Sequence, residues 1–256
     1  MNLRNEILGR INWECEIKTL FHDKNLGCGP GVYAAINWLF ENEEWGIILE
    51  DDCVVQDSFF NYMRELLKRY KNDQRIGMIA GYNPINTYST QNSYLFSTYK
   101  ACWGWGTWRR AWMQMDYEMK WRKTPQADDI IFKMGYKGSD RRECLYKLFK
   151  IDCGMVSAWD WQWYFSLAAQ NQLCIFPSKN LVSNIGFGEN ATHTKKQSKR
   201  TIASENLVFP LVHPTYIVPH SAFDKTFHNK MYSFKRRVRN LIPHSIYLYL
   251  NKLLKQ

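Results

Sequence analysis

The chain has 256 residues, 45% hydrophobic and 23% charged, enough for one substantial core and too apolar for a disordered chain. Its formal net charge of +10 belongs to one end: residues 1–194 carry 22 basic and 22 acidic side chains, whereas residues 195–256 carry 12 and 2. A neutral body argues against a nucleic-acid reading from overall charge, and seven cysteines without Cys-x-x-Cys spacing argue against a disulfide framework or a thiolate zinc site.

In chain order, residues 17–21 predict a short strand and residues 23–31 a loop rich in turn formers. Pro30 suits a first helical turn, and Val32, Ala35, Ile36, Leu39 and Phe40 then recur at helical spacing. Residues 45–49 form a short apolar run of the kind covered on both faces in a parallel sheet. The run ends in Glu50-Asp51-Asp52. A second helix begins near Ser58, with Phe59, Met63, Leu66, Leu67 and Tyr70 on one stripe, and residues 76–80 predict a buried strand.

The middle is less regular. Residues 94–112 are dense in tryptophan and glycine, and residues 113–158 mix charged turns with short helical stretches such as 143–149. A helix is expected at 161–170, a strand at 173–177 and a polar, glycine-containing loop at 183–194. This alternation predicts the α/β class, with an open, mostly parallel sheet and flanking helices. No stretch approaches a membrane span, the N-terminus lacks a signal-peptide core, and the cysteine usage favours a reducing, cytoplasmic setting.

Three features carry candidate chemistry. Carboxylates at a strand end repel one another unless a cation offsets them, so Glu50, Asp51 and Asp52 suit Mn²⁺ or Mg²⁺ holding a diphosphate. A solvated turn running toward Asp57 as a helix cap is the plainer alternative. Asp160 lies among Trp159, Trp161 and Trp163. It reads either as a general base, if the indoles converge on it and desolvate it, or as an N-cap. The stretch 103–110 offers Gly104 for close backbone approach and Trp105 as a stacking surface, or else an aromatic hinge between layers. Arg109 and Arg110 are candidates for neutralising phosphate. The six histidines show no metal-ligand spacing, and His193 stands in a loop suited to a lid.

The stretch 23–27, the helix after Pro30 and Ile47-Ile48-Leu49-Glu50-Asp51-Asp52, followed by Gly104-Trp105, Trp159-Asp160-Trp161 and residues 184–188, resemble a nucleotide-sugar-dependent glycosyltransferase of the GT-A (Rossmann-like) fold. The resemblance spans residues 15–194 and is to bacterial sugar-transferase-like proteins related to the N-acetylglucosaminyltransferase that initiates complex N-glycans. It implies that Asp52 holds the metal and that Glu50, Asp51, Gly104, Trp105, Gly186, Phe187, Gly188 and His193 lie at the donor. It implies Asp160 as general base of an inverting transfer. It also implies two βα units ahead of residue 14 that are not seen here, so the domain, residues 1–200, is expected to be N-terminally truncated.

The expected donor is a nucleoside-diphosphate sugar, with UDP favoured, and the acceptor a saccharide or a lipid-linked group of the cell envelope. Residues 201–256 then form a basic, aromatic extension. Within it, residues 225–256 suit peripheral contact with the inner face of the cell membrane. A non-catalytic GT-A remnant serving as an interaction module and a basic nucleic-acid-binding protein stand as alternatives.

Overall fold

The structure, a computed structural model, describes residue 6 and residues 8–85, 88, 90–186 and 202–231. Helix α1 (Cys28–Asn42) opens the ordered body, with Pro30 in its first turn and Ile36 and Phe40 on its buried side. Strand β1 (Trp45–Ile48), the acidic turn and the short β2 (Cys53–Val55) follow. Helix α2 (Ser58–Arg69) buries Phe59, Tyr62, Met63, Leu66 and Leu67, the expected stripe, and leads to the fully buried β3 (Ile76–Ala80).

The Trp- and Gly-rich middle supplies β4 (Tyr94–Ser97) and β5 (Trp105–Trp108), every residue of both buried, and then a single turn of helix, α3 (Arg109–Trp112). Helices α4 (Ala127–Lys133), α5 (Ser139–Asp152) and α6 (Asp160–Ala169) precede β6 (Leu173–Pro177) and β7 (Val182–Asn184). Helix α7 (Ser221–Met231) closes the described chain. Among the described residues no helix is long and apolar enough to cross a membrane.

The architecture is α/β, but the sheet is mixed rather than mostly parallel. Its order is β1-β5-β3-β6-β4, and only β3 with β6 pairs in parallel. Strands β1, β3 and β6 run the same way, as βα alternation requires. Strand β5 inserts antiparallel between β1 and β3, and β4 pairs antiparallel with β6. The expectation failed because β4 and β5 come from the irregular middle, where no strand was expected. Strand β1 is consequently an edge strand, half-covered instead of covered on both faces.

Residues 17–21 do not form the expected strand. They run as irregular chain with Ile17, Leu20 and Phe21 exposed. Without a covering layer, an apolar run has nothing to gain from the pleated conformation.

Two cores meet at α6. Trp163 and Leu167 pack into the main core around the sheet, while Phe165 and Ala168 pack into a second cluster with Met119, Trp121, Ile130, Ile131, Tyr136, Cys144 and Leu148. A helix buried on two sides is apolar around much of its circumference, as α6 is. Residues 202–231, beyond the expected boundary at residue 200, are built into the main core through Leu207, Leu211, Phe223 and Phe227. Asn206 also caps α2: its Oδ1 accepts the Ser58 N–H at 2.9 Å, and Asp57 makes no side-chain cap.

Candidate active site

The acidic turn is held from three sides. Cys53 N–H donates to the Glu50 carbonyl at 3.1 Å, closing the turn between β1 and β2. Strand β2 pairs antiparallel with β7, and Ile185 N–H donates to the Asp52 carbonyl at 2.9 Å. Gly186 then lies flat against the Asp52 side chain. A Cβ at that position would overlap Asp52 Oδ2 and come within 2.9 Å of Asp52 Cγ. A side chain at 186 would therefore have to displace the Asp52 carboxylate. Gly104, with φ +59°, sits beneath the turn, and a Cβ on it would meet Val182 at 2.8 Å and Leu49 at 3.2 Å. The structure thus brings Asp52 and Gly186 together, and Gly104 underneath them.

Asp160 arrives from the opposite direction in the chain. It is the first residue of α6, half-buried, with Trp159 in the cap position making no side-chain cap. Trp159 stacks on Trp105 with ring centroids 5.6 Å apart. Trp105 is fully buried and pairs with Ile48 on β1, so it offers no face to a ligand; it anchors Trp159, and with it the start of α6, to the strand that carries the acidic turn. The three indoles, whose convergence on Asp160 was the condition for a desolvated general base, divide between two clusters. Trp163 lies 4.9 Å from Trp112 in the main core, and Trp161 lies against Tyr136 and Phe165 in the second cluster. Helical rotation turns Trp161 away, whereas Trp159 and Trp163, four residues apart, both lie against Trp105 in the main core, so no wall of three tryptophans surrounds the carboxylate.

The electrostatics join these elements. Burial, with Asp52, Asp160 and Asp51 adding to it, lifts the Glu50 carboxyl to about 7. Among the described residues, the charged groups acting on Glu50 are acids. Burial likewise raises the Cys28 and Cys102 thiols, with Glu50 and Asp160 adding to both, and raises Cys53 to about 11. Three cysteines line the acidic cluster and are kept as thiols, which excludes a thiolate nucleophile at neutral pH. Tyr164, one turn beyond Asp160, is half-buried, and desolvation, with Cys102 and Asp160 adding to it, also raises its phenol.

Sequence reasoning missed Cys28, Cys102 and Tyr164. Only Tyr164, at helical i+4 spacing from Asp160, carried a signal. Arg110, a candidate for phosphate, is instead a latch. It donates to the carbonyls of Lys71, Ile76 and Tyr70 at 2.7–3.0 Å and lies 4.4 Å from the Trp108 ring. Arg109 Nε donates to the Glu43 carbonyl at 3.2 Å. Phe187, Gly188 and His193 lie outside the described residues.

Among the described residues no three ligating side chains converge into a preformed metal cage. The donor set nevertheless fits a hard divalent cation held by one or two carboxylates and completed by water and phosphate oxygens. A half-buried carboxyl raised to about 7 by desolvation and by neighbouring like charges is the deficit of positive charge that such an ion relieves. Compared with known protein families and with curated proteins, the chain finds no match in either.

Proposed function

We propose that this chain is a metal-dependent glycosyltransferase of the GT-A type, moving a sugar from a nucleoside-diphosphate donor to a saccharide or lipid-linked acceptor with inversion. The observation that carries the reading is the meeting of two remote sequence elements in one electrostatic field. Burial, the turn after β1 and the first residue of α6 together raise the half-buried Glu50 carboxyl to about 7. Carboxylates brought together from distant parts of a chain, with no basic group among the described residues acting on Glu50, are costly to the fold and favour a functional site.

In this reading Asp52, with Asp51 beside it, would hold Mn²⁺ or Mg²⁺, and the close approach of Gly186 keeps the Asp52 side chain in one orientation. The cation, when bound, supplies positive charge opposite the departing diphosphate. Asp160 accepts the proton of the acceptor hydroxyl as that oxygen bonds to the anomeric carbon and the carbon–diphosphate bond breaks on the opposite face. Trp105 and Trp159 act by positioning, through the stack that ties α6 to β1. Phe187, Gly188 and His193 belong to the proposal as donor-side residues from sequence alone.

Titration calorimetry tests this with UDP, GDP, CDP and ADP in the presence and absence of Mn²⁺. Binding of one nucleotide that requires the metal and is lost in Asp52→Asn is expected. Metal-independent behaviour across the whole panel, with the fold intact, sinks the proposal.

A further inference from the structure

Helix α5 has two apolar faces. The inner one, with Cys144 and Leu148, fills the second core cluster. On the outer one, Arg142, Leu145, Tyr146 and Phe149 recur at i, i+3, i+4 and i+7, all exposed, with Phe149 at 55%. Exposed Cys153 and Met155 extend this stripe past the helix end, and Phe132 of α4 is exposed at 54%. A helix packed on one side ordinarily turns polar residues to water on the other.

The charges around these rings are mostly basic, with Asp129 the exposed acid on the Phe132 side of α4. Lys150 Nζ lies 5.1 Å from the Tyr146 centroid and Lys137 Nζ 4.3 Å from that of Phe132. Lys133 and Arg142 are exposed beside them. The acids of α5 are directed elsewhere: Asp140 and Glu143 are buried, and Asp152 is paired with Arg122 at 2.8 Å. Asp128 is paired with Arg141.

We propose that this face of α5, to which α7 is tied by His228 and Asp140 at 3.2 Å, docks the protein on an anionic lipid surface. Phe132, Leu145, Tyr146 and Phe149 enter the headgroup–acyl boundary, while Lys137, Arg142 and Lys150 meet lipid phosphates. Aromatic and aliphatic side chains flanked by long cations are the chemistry of interfacial attachment, with stems laid along the apolar surface and charged heads in the phosphate layer. A second copy fits poorly, because a two-fold contact brings the same cations against one another. Single strands of nucleic acid are held in grooves, whereas this stripe runs along the outside of a helix and includes Leu145 and Met155. The chain from Met155 to Asp160 spans at most about 18 Å, which bounds the distance of Asp160 from the docked end of α5. Lipid binding is readable without donor or metal and stands or falls separately from glycosyl transfer.

The test is flotation of the full chain with phosphatidylcholine vesicles, with and without phosphatidylglycerol. A fluorophore sensitive to polarity is carried on Cys153 in a Cys15→Ser background. Expected are binding that requires phosphatidylglycerol, a blue shift of the label and its quenching by a nitroxide lipid. Arg142→Ala with Lys150→Ala lowers partitioning roughly thirtyfold, at about fivefold per cation. Tyr146→Ser with Phe149→Ser lowers it roughly tenfold or more. Both pairs are on the surface, and an unchanged melting temperature checks the fold. Replacing Lys235, Arg236, Arg237 and Arg239 by Ala leaves the label's quenching in place. Absence of phosphatidylglycerol-dependent binding overturns the proposal, as does binding with the label still in water. Burial of the label by self-association without lipid, or equal protection by a single-stranded oligonucleotide, also overturns it.

Discussion

Around Asp224, on α7, a carboxylate receives hydrogen bonds from Ser97 Oγ at 2.5 Å, Thr98 Oγ1 at 2.7 Å and Thr98 N–H at 3.2 Å, with the buried Lys100 close by. Burial lowers Lys100 to about 8, Asp224 works in the opposite direction, and the ammonium donates to the Thr98 carbonyl at 2.6 Å. The histidines of the same segment are met as well: Nδ1 of His213, His220 and His228 lies 2.9–3.2 Å from the hydroxyls of Tyr94, Tyr88 and Tyr99. Around Glu50 the arrangement is the reverse. Burial and three aspartates act on the Glu50 carboxyl in the same direction, and among the described residues no base counters them there. Charge that is compensated serves to hold residues 202–231 on the sheet. Charge left in repulsion does nothing for the fold, and its persistence points to a ligand.

Four experiments break or sharpen this contrast. The largest effect is expected for Asp160→Asn, which should lower sugar transfer by about a hundredfold or more while leaving the melting temperature nearly unchanged. A parallel collapse of stability would place Asp160 with Asp224, among the structural carboxylates. Asp224→Ala should cost about 3 kcal/mol, because a buried set of donors loses a charged acceptor. Scanning calorimetry should then show the midpoint falling by about 6–12 °C.

Glu50→Gln should act in the opposite direction and depend on pH. The unfolded chain releases the Glu50 proton near 4.5 and the folded protein near 7, so stability contributed by the protonated form is complete below 4.5 and lost as pH rises through 7. The amide removes that loss, and the variant's melting temperature should exceed the parent's by roughly 2–6 °C at pH 8 and match it at pH 4. A variant less stable than the parent at pH 8 would show that the cluster is compensated after all. The smallest effect is that of Gly186→Ala. Its methyl displaces the Asp52 carboxylate, and metal-dependent nucleotide binding should weaken roughly tenfold, about 1.4 kcal/mol.

Much of the scaffold was legible in the residues. The stripe from Phe59 to Tyr70, the helix beginning around Pro30 and the strands at 76–80 and 173–177 all stand where periodicity puts them. Strands β4 and β5 were hidden because both are buried throughout, which removes alternation, while Ser97, Gly106 and Thr107 break the continuous apolar run by which the equally buried β3 is recognised. Their antiparallel insertion in turn made the sheet mixed and moved β1 to its edge. Within the site, Glu50, Asp51, Asp52 and Asp160 stood out as acids at element boundaries. Cys28, Cys102 and Tyr164 did not, since a thiol or phenol gains significance there only from the carboxylates beside it.

Local pattern, then, was enough to specify which segments become helices, where the acidic turn lies and that the body is neutral, because capping, periodicity and charge act between residues near in sequence. Pairing order, the burial of Trp105, the splaying of the indoles after Asp160 and the fixing of Asp52 by Gly186 arise from contacts between segments far apart in the chain. Such contacts are chosen by packing and hydrogen-bond satisfaction over the whole molecule, and no window of neighbouring residues contains that information.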